Sequence, residues 1–173
     1  SAGGERVHAA GRDWDIIETG GHCRGHLCLY DAQNHVLIAG DQVLPTISPN
    51  VSVLPSRPDA NPLREFLESL ARLEHCAPDT LVLPSHGRPF RGLHRRIEVL
   101  RSHHLQQLES LRRVCREPQV AYGLLPVMYG RPLRGNHRFL ALGEAVAHLN
   151  CLWHAGDLER TVDDAGRIHF SAG

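Results

Sequence analysis

The chain has 173 residues, 42% hydrophobic and 22% charged, with a formal net charge of +0 at pH 7. This composition is that of an ordinary globular protein, long enough to bury one medium-sized core or two small ones. A balanced charge excludes any overall attraction to nucleic acid or to an anionic membrane.

Cysteine and methionine usage gives two further expectations. The 5 cysteines are widely spaced and contain no Cys-x-x-Cys pair, which favours reduced thiols in a cytoplasmic protein over a disulfide framework. No apolar run reaches the roughly 18 residues of a membrane span. The only methionine is Met128, so we expect the chain to be a portion of a longer protein.

The first part of the chain alternates between short strands and loops. Apolar residues alternate over 6–8 and 14–19, which predicts two strands. Two further strands, over 27–30 and 36–39, flank the turn residues 31–34 and predict a hairpin.

A long loop and a helix follow this hairpin. The Pro-rich stretch 44–58 predicts a surface or site-lining loop. Asn61 and Pro62 are typical of a helix start, and apolar positions on one face continue to Leu73. Residues 80–83 then predict a short buried strand.

The pattern from residue 92 onwards is mostly helical. The predicted elements are a long amphipathic helix over 93–115, a short helix within 120–128, a loop over 130–136, a helix over 140–153 stopped by Gly156, and a hairpin of strands 160–162 and 167–170. This order is typical of a winged-helix module. We therefore predict two domains, 1–91 and 92–173.

Three candidate metal ligands each follow a predicted strand. They are His22, Asp41 and His86, and strand ends of a layered α/β protein commonly line one edge of the sheet. Imidazole and carboxylate are the ligands that Zn²⁺ or Fe²⁺ takes in hydrolytic sites. The sequence therefore predicts a metal site that joins three separate loops.

Other candidate ligands have simpler interpretations. His26 begins a strand, so we expect it to support the site or line a substrate pocket, as we do for Ser85. Cys23 could in principle bind zinc as a thiolate, but we expect its neighbour Arg24 to point it away from the site. His104 lies on the apolar stripe of a helix, which favours a core or interface position. Non-ligand positions are also expected for His94, His137 and His148.

At these residues the chain resembles the metallo-β-lactamase-fold hydrolases. Residues 21–26 match a Gly-His-x-x-Gly-His segment, residues 40–41 the segment carrying a metal-bridging Asp, and residues 85–87 the segment carrying the last His ligand. Residues 49–53, 62–70 and 141–149 are similar to a subgroup with a winged-helix-like C-terminal extension. The resemblance implies the α/β class: the C-terminal half of an αββα sandwich followed by a mostly α module.

One family segment is absent from the chain. The His-x-His-x-Asp-His segment, which supplies most ligands of the first metal and the residue handling the water proton, would lie before residue 1. The resemblance implies two Zn²⁺ ions, with Fe²⁺ or Mn²⁺ as alternatives. Asp41 would join them, with His22 on one and His86 on the other. We therefore expect an incomplete site, no catalytic residue within the chain, and an isolated chain that is inactive.

The expected activity of the whole protein is hydrolysis of an ester, thioester or phosphodiester by metal-activated water. We expect a small-molecule substrate, no membrane, and a homodimer or association with the missing N-terminal half, because half a sandwich exposes an apolar sheet face. Two alternatives stay open: a winged-helix module that binds nucleic acid, and a non-catalytic interaction module whose metal site is vestigial.

Overall fold

The structure, a computed structural model, describes residues 5–130, 133 and 135–173. These described residues form two compact units, one within the ranges 1–49 and 65–101 and the other within the ranges 50–64 and 102–173. The described residues form both helices and strands, which confirms the predicted α/β class. A domain boundary between residues 91 and 92 stays a prediction.

A five-stranded sheet with strand order β1-β2-β3-β4-β5 forms the first unit. Its strands are β1 (Arg6–Ala9), β2 (Arg12–Thr19), β3 (His26–Asp31), β4 (Val36–Gly40) and β5 (Leu81–Pro84). The first four are successively antiparallel, and β5 is parallel to β4. Because β3 runs opposite to both of its neighbours, β2, β4 and β5 all end at the same edge of the sheet.

The two faces of this sheet differ in burial. On one face lie fully buried side chains such as Cys28, Leu37 and Val82. On the other face, backbone register places one apolar row across four strands: Ile16 beside Leu29, Leu29 beside Ile38, and Ile38 beside Leu83. We call these four residues the outer apolar row. Ile38 is 37% exposed and the other three are half-buried.

Helix α1 (Pro62–Leu73) begins where the sequence predicted. The Asn61 side-chain oxygen accepts the backbone N–H of Arg64 at 3.3 Å, which caps the first turn. Further along α1, the Ser69 hydroxyl oxygen accepts the N–H of Gly20 at 2.9 Å. The helix is thereby tied to the loop that follows β2.

The second unit contains the C-terminal part of α2 (Leu93–Val114), a 3₁₀ turn (Ala121–Leu124), α3 (Leu125–Tyr129), α4 (Asn136–His154) and a hairpin of β6 (Glu159–Val162) and β7 (Ile168–Ser171). The order of elements is as predicted, whereas the assignment as a winged-helix module stays a prediction. Gly156 ends α4 as expected: its φ is +79° and its N–H donates to the carbonyl of Trp153.

Helix α4 starts four residues before the predicted residue 140, directly after Gly135, whose φ of +57° lets the chain turn into the helix. The predicted loop 130–136 lies partly outside the described residues, which include only Gly130, Leu133, Gly135 and the backbone of Asn136. None of the described helices combines the length and apolarity that crossing a membrane requires.

Two histidines are fully buried in the second unit, in contact with each other. The Nδ1–H of His148 donates to the carbonyl of Glu144 at 2.8 Å, so its Nε2 accepts from Nδ1–H of His104 at 3.1 Å. We call these two residues the histidine pair. Burial lowers the pKa of His104 to about 3 and that of His148 to about 4. The core position predicted for His104 is confirmed.

Candidate metal centre

The three predicted ligands converge at one edge of the five-stranded sheet. His22 follows β2, Asp41 follows β4 and His86 follows β5. These strands end at the same edge, so residues 64 positions apart in sequence (86 − 22) reach a common carboxylate. Nε2 of His22 lies 3.6 Å from Oδ2 of Asp41, and Nε2 of His86 lies 3.5 Å from Oδ1 of Asp41.

Both distances are longer than an ordinary N–H···O hydrogen bond, whose donor and acceptor are about 2.9 Å apart. By contrast, two ligands about 2.1 Å from a tetrahedral zinc ion lie roughly 3.4 Å from each other. The spacing of His22 and His86 from Asp41 therefore matches neighbouring ligands of a metal better than direct hydrogen bonds. Each imidazole approaches a different oxygen of the carboxylate.

Ser85 holds the Asp41 carboxylate in this position. Its hydroxyl donates to Oδ1 of Asp41 at 2.5 Å, and its backbone N–H donates to the carbonyl of Gly40 at 3.0 Å. These two bonds join the loop after β5 to the loop after β4. Ser85 thus contacts the candidate ligand directly, while its role as a pocket residue stays a prediction.

His26 lies behind the site, against the backbone of Gly40. A Cβ atom at Gly40, whose φ is +52°, would be 2.6 Å from Nε2 of His26. The other ring nitrogen, Nδ1, is 2.7 Å from the hydroxyl oxygen of Thr19. Burial, reinforced by the nearby His22, lowers the pKa of His26. The structure therefore places His26 beside the candidate ligands without bringing it to the Asp41 carboxylate.

The candidate ligands differ in their access to solvent. The side chain of His86 is 72% exposed, whereas those of His22 and Asp41 are each 30% exposed. Cys23 is an exposed free thiol, and the other cysteines are also free, as predicted. Within residues 5–130, 133 and 135–173, no group of three His, Cys, Asp or Glu side chains is arranged to hold a metal ion by itself.

Sequence reasoning did not predict the surroundings of three residues near this centre. Thr19 is buried and contacts His26. It is the last residue of a strand whose apolar residues alternate, and this pattern does not predict a contact with His26. Gly87 packs so closely that a Cβ there would lie 2.6 Å from Cγ of Pro45. Gln42, next to Asp41, is fully buried, and neither polar atom of its side chain has a hydrogen-bond partner among the described residues.

Comparisons with known proteins identify the family of the chain. Residues 3–86 match the metallo-beta-lactamase superfamily, and residues 108–173 match the C-terminal domain of metallo-beta-lactamase-like proteins. The chain belongs to the metallo-β-lactamase superfamily. Membership indicates a hydrolase-type fold, and members of this superfamily usually bind divalent metal ions.

Two solved structures are similar over the whole chain. A beta-lactamase domain protein from Burkholderia ambifaria is 47% identical with a TM-score of 0.96, and the chain covers 52% of it. A metallo-beta-lactamase family protein from Thermus thermophilus is 30% identical with a TM-score of 0.84, and the chain covers 54% of it. The chain therefore spans about half the length of these relatives. No curated protein matches significantly.

Proposed function

We propose that the whole protein is a metal-dependent hydrolase and that this chain supplies three of its metal ligands. One observation carries the proposal: a single carboxylate, that of Asp41, has an imidazole Nε2 at 3.6 Å from one oxygen and another at 3.5 Å from the other. His22 would bind one ion, His86 would bind the second, and Asp41 would bind both. Family membership supports this assignment.

The donor set suits the proposed metal. Neutral imidazole and carboxylate bind Zn²⁺ well, and Fe²⁺ or Mn²⁺ also accept them. When bound, the metal ions supply a water of lowered pKa and polarise the bond to be hydrolysed. We propose Zn²⁺ as the ion and an ester, thioester or phosphodiester as the substrate.

The residues of this chain have positioning roles in the proposed reaction. The hydroxyl of Ser85 donates to Oδ1 of Asp41 and fixes the orientation of the carboxylate. His26 fills the space behind Gly40 and holds the backbone that leads into Asp41. We assign the proton transfer from water to no residue of this chain, and propose that the 173 residues alone are inactive and bind metal weakly.

The outer apolar row supports a proposal about partners. Ile16, Leu29, Ile38 and Leu83 make a continuous apolar band on one sheet face, bordered by Leu27, which is 49% exposed. An apolar band of this kind is favourably buried against another protein surface. We propose that it packs against the remainder of the whole protein, and that the 173-residue chain by itself forms homodimers through the same face.

Calorimetric titration with Zn²⁺ tests the metal assignment. In the whole protein we expect two ions per chain, and His22→Ala or His86→Ala should weaken binding by at least about tenfold. His75→Ala is the matched control, because His75 is exposed and lies outside the site. Unchanged Zn²⁺ affinity in both site variants would refute the ligand assignment. A sub-micromolar stoichiometric site in the 173-residue chain would refute its proposed incompleteness.

Hydrolysis assays on the whole protein test the reaction. Ester, thioester and phosphodiester substrates with chromogenic leaving groups should show metal-dependent turnover of at least one class, lost on removal of metal by a chelator. Asp41→Asn should lower kcat strongly, because it removes the charge shared by both ions. Turnover that survives both the chelator and Asp41→Asn would contradict the proposal.

A further inference from the structure

The second unit contains an apolar pocket that the proposed hydrolase chemistry does not use. Its volume is about 220 Å³, and its walls come from the loop 53–58, α4 and the β6–β7 hairpin. Leu54 and Phe139 line it while remaining 58% and 63% exposed, so the pocket is open to solvent. An apolar cavity of about 150 Å³ binds benzene. By that comparison, this pocket suits an organic molecule of roughly ten non-hydrogen atoms.

One charged side chain contributes to the lining. Arg160, on β6, is the only charged residue among the described residues that line the pocket. Its side chain is 13% exposed, and its guanidinium carbon lies 4.7 Å from the centre of the Trp153 ring. Stacking on an aromatic face holds the planar guanidinium in a defined orientation. Its Nη1 donates to the carboxylate of Asp59.

The loop that carries Asp59 is itself fixed in place. Nδ2 of the buried Asn150 donates to the carbonyls of Pro58 and Ala60 at 2.8 and 2.9 Å. Nε2 of His154 donates to the carbonyl of Asp59 at 2.8 Å. These bonds from α4 to the loop position Asp59, and Asp59 in turn positions Arg160. The guanidinium is therefore pre-organised before any ligand arrives.

Part of the guanidinium remains available. An arginine has five N–H groups. In the part of the chain that the structure describes, Asp59 accepts from Nη1 of Arg160, and no partner is recorded for Nε and Nη2. The Nε and Nη2 edge of a guanidinium matches the two oxygens of a carboxylate. The Asp59 side chain is 65% exposed, so solvent weakens its repulsion of a second carboxylate.

We propose that this pocket binds a short apolar monocarboxylate. The hydrocarbon part would lie among the apolar wall residues, which include Val53, Leu142, Val146, Ile168 and Phe170. The carboxylate would bind the Nε and Nη2 edge of Arg160. Burial of the hydrocarbon supplies affinity, and the charge-assisted pair with Arg160 supplies selectivity for an acid over an uncharged molecule of the same shape.

Calorimetric titration of the 173-residue chain with octanoate and octanamide tests the proposal, because the two probes have the same size and differ in charge. We expect octanoate to bind about tenfold more tightly than octanamide. Arg160→Gln should reduce octanoate affinity to that of octanamide, whereas Arg167→Gln, on the same hairpin but outside the lining, should leave it unchanged. Val146→Phe should abolish binding of both probes by filling the pocket.

Three results would overturn the proposal: no binding of octanoate, equal affinity for the two probes, or octanoate affinity that Val146→Phe leaves unchanged. If Arg160→Gln does not fold, Arg160→Lys is the second variant: it keeps the positive charge but loses the paired N–H groups of the guanidinium, which we call the fork. The lysine variant should retain only part of the selectivity for octanoate over octanamide. Full selectivity in the lysine variant would count against recognition by the fork. These measurements need neither metal nor turnover, so their outcome is independent of the proposed hydrolase.

Discussion

The histidine pair predicts that the second unit loses stability in mild acid. In an unfolded chain both imidazoles have a pKa of about 6.5. In the fold, burial lowers the pKa of His104 to about 3 and that of His148 to about 4. The fold therefore favours the neutral imidazoles. Their contribution to stability is fully present above about pH 6.5 and is lost as the pH falls from there towards these lower values.

The size of this effect follows from the pKa difference. At about pH 5 the unfolded chain binds a proton at each histidine and the folded chain binds neither. The unfolded state is then favoured by about 2 kcal/mol per histidine, or about 4 kcal/mol for the pair. That is a large share of the roughly 5–15 kcal/mol that is typical of a folded domain.

Urea unfolding at about pH 7.5 and at about pH 5 measures this loss. Trp153 lies on α4 with His148, so its fluorescence in a Trp14→Phe background reports on the second unit. A double variant, His104→Leu with His148→Leu, should lose most of the pH dependence whatever its stability at neutral pH. His137→Gln is the control: this exposed histidine on the same helix as His148 should leave the loss of stability as large as in the wild-type chain.

Glu144 changes the stability of the second unit in the opposite direction as the pH falls, so its contribution must be separated from that of the histidine pair. Burial raises the pKa of Glu144, so the fold favours its protonated form and gains stability as the pH falls towards the ordinary value of 4.5. Glu144→Gln removes this contribution and should make the acid loss larger. Equal losses in the wild-type chain and in the double histidine variant would refute the explanation by the histidine pair.

Three further predictions concern single positions. Gly40→Ala should destabilise the first unit by about 2–3 kcal/mol, because its Cβ would meet His26. The control is Gly11→Ala, at a φ of +70° with nothing within 4 Å of the added Cβ, which should cost about 1 kcal/mol. Equal losses of unfolding free energy for the two variants in urea would contradict this. Cys23 should be the first cysteine to react with a thiol reagent, because it is exposed whereas burial raises the pKa of the other four thiols. Mass spectrometry of the native chain measures the order of labelling, and simultaneous labelling of all the cysteines would count against the prediction. Asn150→Ala should destabilise the second unit by about 2–4 kcal/mol through the loss of two buried hydrogen bonds, and a change below about 1 kcal/mol in urea unfolding would disprove it.

The convergence of His22, Asp41 and His86 could be predicted because each follows a strand. Strand direction alone then brings them to one edge of the sheet, without any knowledge of side-chain contacts. The support around Asp41 could not be predicted in the same way. That Ser85 donates to Asp41, and that His26 packs on Gly40, depends on the register between β4 and its neighbours.

The pocket of the second unit could not be predicted from the sequence for a different reason. Asp59 and Arg160 are 101 residues apart, and neither stands in a motif that indicates the other. Periodicity identified α4 as a helix but not the hydrogen bonds from its C-terminal half to the loop 58–60. Side chains on a loop that lacks periodicity are placed by tertiary contacts alone.

The parallel pairing of β5 with β4 has a consequence for how the candidate metal centre assembles during folding. Strands β1 to β4 are joined by short turns, so they can pair early and locally. Strand β5 is separated from β4 by about 40 residues, which include α1. Pairing of β5 with β4 is therefore slower, because a longer loop must close before the two strands meet. We therefore expect the loop after β4, with Asp41, to be in place before His86 and Ser85 reach it.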